Sequence, residues 1–326
     1  MSNRPHVQKL VERARLLPAL SAAMVFPCDG DSLQLALSGS FAGYLAPTLV
    51  GPQARIRDIA NRAGLDISRL PIVNTADDAS EAAQHAVRLA AQGKVAALVK
   101  GAMSDGELLT PVAALDSGLR TDTRLSHAAF LDLPGINRWM LLADALLNVT
   151  PNLAAKKDIV QNTARLAVAL GLPAPYVALL AGMDVAATAL PSTAEALALK
   201  SMAVEGLFPG AIVEGPMLPD AALRADDGRA GVARNDVTGR ADILIAPSLE
   251  TAVMVMRTLT GITQGLACGI VLGAKVPIVV PARSDSMEMR MASCVIASLA
   301  AAHAGAMSKQ ASAASIVPAA ASRVAA

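Results

Sequence analysis

Aromatic side chains are scarce in this 326-residue chain, which has four Phe, two Tyr and one Trp. Hydrophobic residues nevertheless make up 53% of the sequence, so the core must be built from Ala, Val, Leu, Ile and Met. Aliphatic and β-branched runs of this kind are typical of parallel sheets that helices cover on both faces. The composition therefore favours an α/β protein over an aromatic-rich β-sandwich or barrel.

The chain also lacks an excess of either charge, since it contains 28 basic and 27 acidic residues. No basic patch stands out, so nucleic acid is not expected as a partner. No apolar run is expected to reach the ~18 residues that a membrane helix needs, because Lys275 and several arginines interrupt the candidates. The first 17 residues are too charged for a secretory signal. We expect a cytoplasmic protein that does not contact a membrane.

Cysteine and histidine are few and widely spaced. Three cysteines in unpaired positions predict buried thiols in a reducing compartment, not disulfides. The four histidines are scattered, so no metal site is predicted. His127 is interpreted as a hydrogen-bonded interior histidine. These residues are Cys28, Cys268, Cys294, His6, His85, His127 and His303.

Strand-like and helix-like segments alternate along most of the chain, which predicts an α/β fold. The clearest helix spans 152–170, with Asn152 as its N-cap and Gly171 at its end. From Ala304 onward the sequence is rich in Ala and Ser, and we expect a frayed or disordered tail. The predicted strands are 22–26, 44–50, 71–73, 95–99, 176–180, 241–246, 270–272 and 276–280.

The segment 269–293 is the most informative part of the chain. Two short apolar runs end at a proline, Arg283 follows, and a helix begins near 284–286. An arginine beside a helix N-terminus, at the end of a buried strand, is a natural site for phosphate because free N–H groups and the guanidinium both face the anion. The alternative is that Asp285 and Glu288 form a capping box that only starts the helix.

Several distinctive sequence blocks follow one another between about Leu20 and Ala302. They are 118–120, 125–127, 148–162, 191–196, 214–217, 239–250 and the segment 269–293. In this order they resemble the phosphate acetyl/butyryltransferase family, and the chain looks most similar to its butyryl-transferring branch.

The resemblance implies a two-domain α/β fold of the isocitrate/isopropylmalate dehydrogenase type, with parallel-rich sheets flanked by helices. The first domain would comprise residues 1–127 and 272–326. The second, 128–271, would be inserted in it and would carry a homodimer interface. The active site would lie in the cleft between the two domains.

The family moves an acyl group between coenzyme A and inorganic phosphate without a metal or other cofactor, so acyl-CoA and phosphate are the implied partners. Such a site must hold a dianion, stabilise an oxyanion and manage the thiol proton. Arg283 matches the family's active-site arginine. Ser284 and Asp285 are predicted to be catalytic with it, Ser286 is predicted to bind substrate, and the two serines would complete a phosphate cradle.

Four further residues are predicted to bind substrate. Lys100 ends a buried strand, although a lysine there can also simply extend its amine to water. Arg120 is placed in the cleft, with an exposed salt bridge as the alternative. Gly215 and Pro216 are expected to line the cleft, although a plain turn also explains both.

Three positions depart from the family pattern. Ala282 stands where the family has a serine, Val253 falls where it has an asparagine, and Asp105 replaces a hydroxyl residue. These departures motivate a second hypothesis, a catalytically degenerate paralogue that binds acyl-CoA or a partner protein. A dehydrogenase is disfavoured because no GxGxxG follows the first strand.

Overall fold

The computed structural model describes residues 4–224 and 235–315, with side chains described through 308. Within these ranges eleven strands form one continuous sheet in the order β3-β2-β1-β4-β11-β10-β5-β6-β9-β7-β8. The strands are β1 (Leu20–Val25), β2 (Leu45–Gly51), β3 (Ile72–Asn74), β4 (Ala97–Lys100), β5 (Ser126–Asp132), β6 (Met140–Ala143), β7 (Tyr176–Leu180), β8 (Ile212–Met217), β9 (Ile243–Ile245), β10 (Leu266–Leu272) and β11 (Ile278–Val279).

Ten helices flank this sheet in the described part of the chain. They are α1 (Pro5–Arg15), α2 (Gly30–Phe41), α3 (Gln53–Arg62), α4 (Ala79–Ala91), α5 (Asp105–Ala113), α6 (Leu153–Ala169), α7 (Pro191–Val204), α8 (Pro219–Leu223), α9 (Leu249–Thr263) and α10 (Met287–Ser315). The α/β class predicted from the sequence is confirmed.

Strand direction reverses in the middle of the sheet. β1, β2, β3, β4 and β11 are parallel, whereas β10 is antiparallel to both β11 and β5. β6 is antiparallel to β5, and β9, β7 and β8 are parallel to β6. We call the edge where β1, β2, β4 and β11 end the top edge, and the opposite edge the bottom edge. β6, β7, β8 and β9 end at the bottom edge.

The helices divide between two faces. Ala128 and Phe130 pack in one apolar cluster with α6, whereas their neighbours Ala129 and Leu131 pack in a second cluster with α9. Successive strand residues point to opposite faces, so α6 and α9 cover opposite sides. Right-handed crossovers likewise put α2 and α4 on opposite sides. Helix contacts then group α1, α2, α6 and α10 on a back face, and α4, α5 and α9 on a front face.

The two-domain arrangement stays a prediction, as do its boundaries. Strands from the predicted first domain occupy one end of the sheet, and β6, β9, β7 and β8 occupy the other. β5 and β10 lie between them, and these two strands contain the predicted boundaries near residues 127 and 272.

The tail prediction is wrong for residues 304–315, which continue α10 as one 29-residue helix. Alanine has the highest intrinsic helix propensity, and a buried first half supplies the nucleus that a short isolated helix lacks. The rest of the tail, 316–326, lies outside the described residues. Residues 287–308 are also long and apolar enough to span a membrane, contrary to the sequence argument. Half of the tested window is buried inside the protein, as in a core helix.

Candidate active site

The loop 281–286 connects β11 to α10 at the top edge. β11 pairs with β4, and β4 pairs with β1, so the loop lies near Lys100 and near the turn that follows Val25. Arg283, Ser284 and Ser286 are exposed on this loop. In open α/β sheets, ligands bind in the crevice outside the carboxyl ends of parallel strands. Position in the fold therefore makes this loop the candidate site.

Arg290 fixes the shape of the loop from below. This buried arginine of α10 donates from Nε to the Asp285 carbonyl at 3.0 Å. Its Nη2 contacts the carbonyls of Ala282 at 3.3 Å and Arg283 at 3.5 Å, and Asp31 Oδ2 at 3.2 Å. One guanidinium therefore contacts three backbone carbonyls of the loop. Sequence reasoning missed this residue, because no local pattern shows which carbonyls its side chain meets.

Asp285 closes the loop from the other side. Its Oδ2 accepts from the Ala282 N–H at 2.8 Å. Ser286 Oγ accepts from the Met289 N–H at 3.3 Å and so caps the helix. The predicted capping role of Asp285 is therefore wrong: the carboxylate turns back toward the loop, and the serine one residue later takes the cap.

The turn after β1 approaches the start of the β4–α5 loop closely. Gly101 N donates to Val25 O and Ala102 N donates to Phe26 O, both at 2.9 Å. A Cβ on Gly101 would lie 2.4 Å from Phe26 O, so only glycine fits. Phe26 itself has φ +51°, a conformation that costs a non-glycine residue about 1–3 kcal/mol. Such strain is concentrated at functional sites, which supports the choice of this edge.

Lys100 Nζ pairs with Asp105 Oδ1 at 2.5 Å, and the lysine side chain is only 11% exposed. The charge introduced by Asp105 is therefore offset locally. α5 begins at Asp105, α2 at Gly30 and α10 at Met287, so three helix N-termini meet the top edge. Each contributes a positive dipole end and free N–H groups, which favour an anion.

Arg120 lies at the opposite end of β11. Its backbone forms an isolated bridge with Ala274, in the turn between β10 and β11, and its side chain is exposed. The structure therefore does not bring Arg120 beside Arg283.

Gly215 and Pro216 are also distant from Arg283. They belong to β8, six strand positions from β11, or roughly 29 Å at about 4.8 Å per strand. A Cβ on Gly215 would lie 2.6 Å from Leu179 Cβ, so this glycine allows β8 to pack against β7. In a single chain, these residues and Arg283 do not form one site.

The three cysteines are buried and free, as the sequence predicts. Burial raises the pKa of Cys28 to about 11 and that of Cys294 to about 12, and it also raises the pKa of Cys268. None of these thiols is a ready nucleophile near neutral pH. In the described ranges, no three His, Cys, Asp or Glu side chains converge to hold a metal ion.

The top edge of this α/β protein thus combines an exposed arginine with three helix N-termini, an arrangement that suits an anion. The family model for phosphate acetyl/butaryl transferase matches residues 73–298. The chain is 40% identical to a phosphate acetyltransferase of Rhizobium meliloti, covering 90% of this chain and 93% of that relative. It is 34% identical to a phosphate butyryltransferase of Clostridium acetobutylicum, covering 79% and 86%. The chain belongs to the phosphate acetyl/butaryl transferase family.

A solved structure supports the same family. The branched-chain phosphotransacylase from Enterococcus faecalis V583 superposes with a TM-score of 0.75 at 26% identity, over 86% of this chain and 99% of that one. Of the two relatives above, the acetyltransferase shares the greater identity. The identities therefore do not single out the butyryl-transferring branch predicted from the sequence.

Proposed function

We propose that this chain transfers an acetyl or short acyl group reversibly between coenzyme A and inorganic phosphate, at the top edge around Arg283. The observation that carries the proposal is the exposed Arg283 on a loop fixed by Arg290 and Asp285, beside three helix N-termini. Membership of the family supports the reaction class.

Arg283 is assigned to the phosphoryl group. Its planar fork can donate two parallel hydrogen bonds to phosphate oxygens, and its charge does not titrate. Ser284 offers an exposed hydroxyl on the same loop. Lys100, although paired with Asp105, adds a second cation within the crevice. Together these groups suit a dianion and the tetrahedral oxyanion that forms during acyl transfer.

The buried thiols favour direct transfer over an acyl-cysteine intermediate, because their raised pKa values leave almost no thiolate near neutral pH. In direct transfer, the coenzyme A sulfur attacks the acyl phosphate carbonyl and phosphate leaves. The reverse reaction uses phosphate as the nucleophile on the thioester.

Arg120 is assigned to the nucleotide end of coenzyme A. It lies at the bottom edge with exposed Arg124 and Lys275, so three cations share one turn region. Coenzyme A is long and carries phosphates far from its thiol, so a basic region remote from Arg283 suits it. Gly215 and Pro216 receive no role in this site.

We further propose a homodimer through residues 128–271, in a cytoplasmic protein with the two-domain arrangement described above. Exposed apolar side chains on α7 and α9 support this surface, including Val204 at 83% and Ile262 at 79% exposure. Exposed apolar patches commonly mark subunit contacts. Light scattering at micromolar concentration should give twice the monomer mass; a monomer would refute the dimer.

The transferase is tested by the phosphate-dependent loss of thioester absorbance with acetyl-, propionyl- and butyryl-CoA. Arg283→Ala should abolish turnover. Arg62→Ala, which removes an exposed arginine paired with Asp58 on α3, should not. Absence of turnover with all three thioesters, together with calorimetric binding of coenzyme A, would instead establish the degenerate paralogue.

A further inference from the structure

His127 lies on the front face of the sheet, as the second residue of β5. The preceding residue, Ser126, accepts a hydrogen bond from Asn162 of α6 at 2.8 Å and therefore points to the back face. Because strand residues alternate, His127 points to the front, between α5 and α9. It pairs with Val271 of β10, which in turn pairs with Ile278 of β11.

The imidazole lies over β10. A Cβ on Gly269 would lie 2.8 Å from His127 Nε2, so the ring occupies the space above this glycine. The Gly269 N–H donates to Ser293 of α10 at 3.0 Å. The ring and α10 therefore meet the same segment of β10 from opposite faces of the sheet.

The sequence interpretation of His127 as a hydrogen-bonded interior histidine is not met at ring Nδ1. The backbone N–H donates to Asp144 Oδ2 at 3.1 Å. Ring Nδ1 is fully buried and has no hydrogen-bond partner among the described residues. A buried polar atom left unpaired is rare and calls for an explanation.

Three carboxylates face this histidine from three elements. They are Asp144 after β6, Asp285 in the loop before α10, and Asp105 at the start of α5, which Lys100 neutralises in part. Burial lowers the pKa of His127 and outweighs these carboxylates, each of which acts to raise it. The imidazole is therefore uncharged near neutral pH and available to take up a proton.

We propose that His127 is the proton acceptor for the thiol of coenzyme A. The inference rests on the function proposed above. As the sulfur–carbon bond forms, the thiol proton passes to the imidazole, the carbon–oxygen bond to phosphate breaks, and the released phosphate then takes the proton from the imidazolium. In the reverse direction the imidazolium protonates the departing thiolate. An aliphatic thiol has a pKa of about 8.5, so a base is needed near neutral pH.

The test is His127→Gln, which keeps a polar side chain but cannot titrate. We expect kcat/KM for coenzyme A with acyl phosphate to fall about 10²–10³-fold, and the acidic limb of its pH profile to disappear. Calorimetric affinity for phosphate should be unchanged. Added imidazole should partly restore His127→Ala. His85→Gln, which changes a half-exposed histidine on α4, is the matched control and should behave as wild type.

An unchanged acidic limb in His127→Gln, or the absence of imidazole rescue, would overturn the inference whatever the loss of rate. If the variants do not fold, wild-type protein supplies the test: desulfo-coenzyme A should protect His127 from acylation by diethyl pyrocarbonate, mapped by mass spectrometry. Unaltered modification would also overturn it. Failure of the proposed function differs from both outcomes, because the wild type would then show no turnover.

Discussion

Replacing Arg290 by methionine tests how far the site depends on a residue that need not contact substrate. Methionine retains the length and burial of the side chain but removes every donor to the loop 281–286. The bond from Nε to the Asp285 carbonyl is 3.0 Å, and a hydrogen bond to a charged group is worth about 1.5–3 kcal/mol net. The two longer carbonyl contacts contribute less, so the free energy of unfolding should fall by roughly 2–4 kcal/mol.

In Arg290→Met, kcat/KM should fall by more than the loss of folding stability alone would cause. Without Arg290 the carbonyls of Ala282, Arg283 and Asp285 lose their shared donor, and the backbone that carries Arg283 is no longer fixed. A misplacement of about 1 Å can cost about 10²-fold in rate, which sets the expected drop in kcat/KM. Phosphate affinity should weaken in parallel. Arg290→Lys should recover part of the stability and little of the activity, because one ammonium cannot span three carbonyls.

The matched control is Asp31→Asn. This change weakens the contact with Arg290 Nη2 but leaves the carbonyl contacts in place. Asp31 is 68% exposed, so the loss should stay below about 1 kcal/mol, with activity close to wild type. Thermal unfolding and initial rates measured on the same preparations would decide. A folded Arg290→Met variant with wild-type kcat/KM would refute the reasoning.

Two further changes probe the edge itself. Gly101→Ala places a Cβ 2.4 Å from the Phe26 carbonyl oxygen, and the free energy of unfolding measured in urea should fall by about 3 kcal/mol or more. Gly106→Ala is the control, because nothing lies within 4 Å of the new Cβ; its free energy of unfolding should be unchanged or rise by about 0.5–1 kcal/mol. Equal effects of the two would contradict the close-approach argument. Ala282→Ser restores a hydroxyl beside Arg283 and should raise kcat by about tenfold or more, since a single oxyanion donor is worth about 10²–10³. An unchanged kcat would show that Ala282 is not a defect.

The parts of the molecule that local sequence determines were predictable. Asn152 caps α6 as expected, since a cap needs only the residues that follow it. The order of strand, proline, arginine and helix around Arg283 could also be predicted, because it depends only on neighbouring residues. The strands β5, β6 and β8 were missed, because short apolar runs do not show their pairing partners.

The composition of the site depended on long-range geometry instead. Gly215 and Pro216 were expected to line the same cleft as Arg283, yet β8 and β11 lie six strand positions apart, and no local pattern encodes strand order. Arg290 was missed because its function depends on three carbonyls, from residues five to eight positions away, turning toward one guanidinium. The unpaired ring of His127 likewise follows from packing across β10.

The pairing between β10 and β5 has a mechanical consequence. These strands are joined through seven consecutive residue pairs, from Leu266 with Asp132 to Leu272 with Ser126. Movement of one half of the sheet relative to the other must therefore bend or twist a hydrogen-bonded ribbon, because no flexible linker stands between them. The two halves of the sheet are therefore expected to move relative to each other only by small amounts, because the strand hydrogen bonds oppose the distortion. Opening the crevice wide enough to admit a coenzyme thus falls to the loops at its rim.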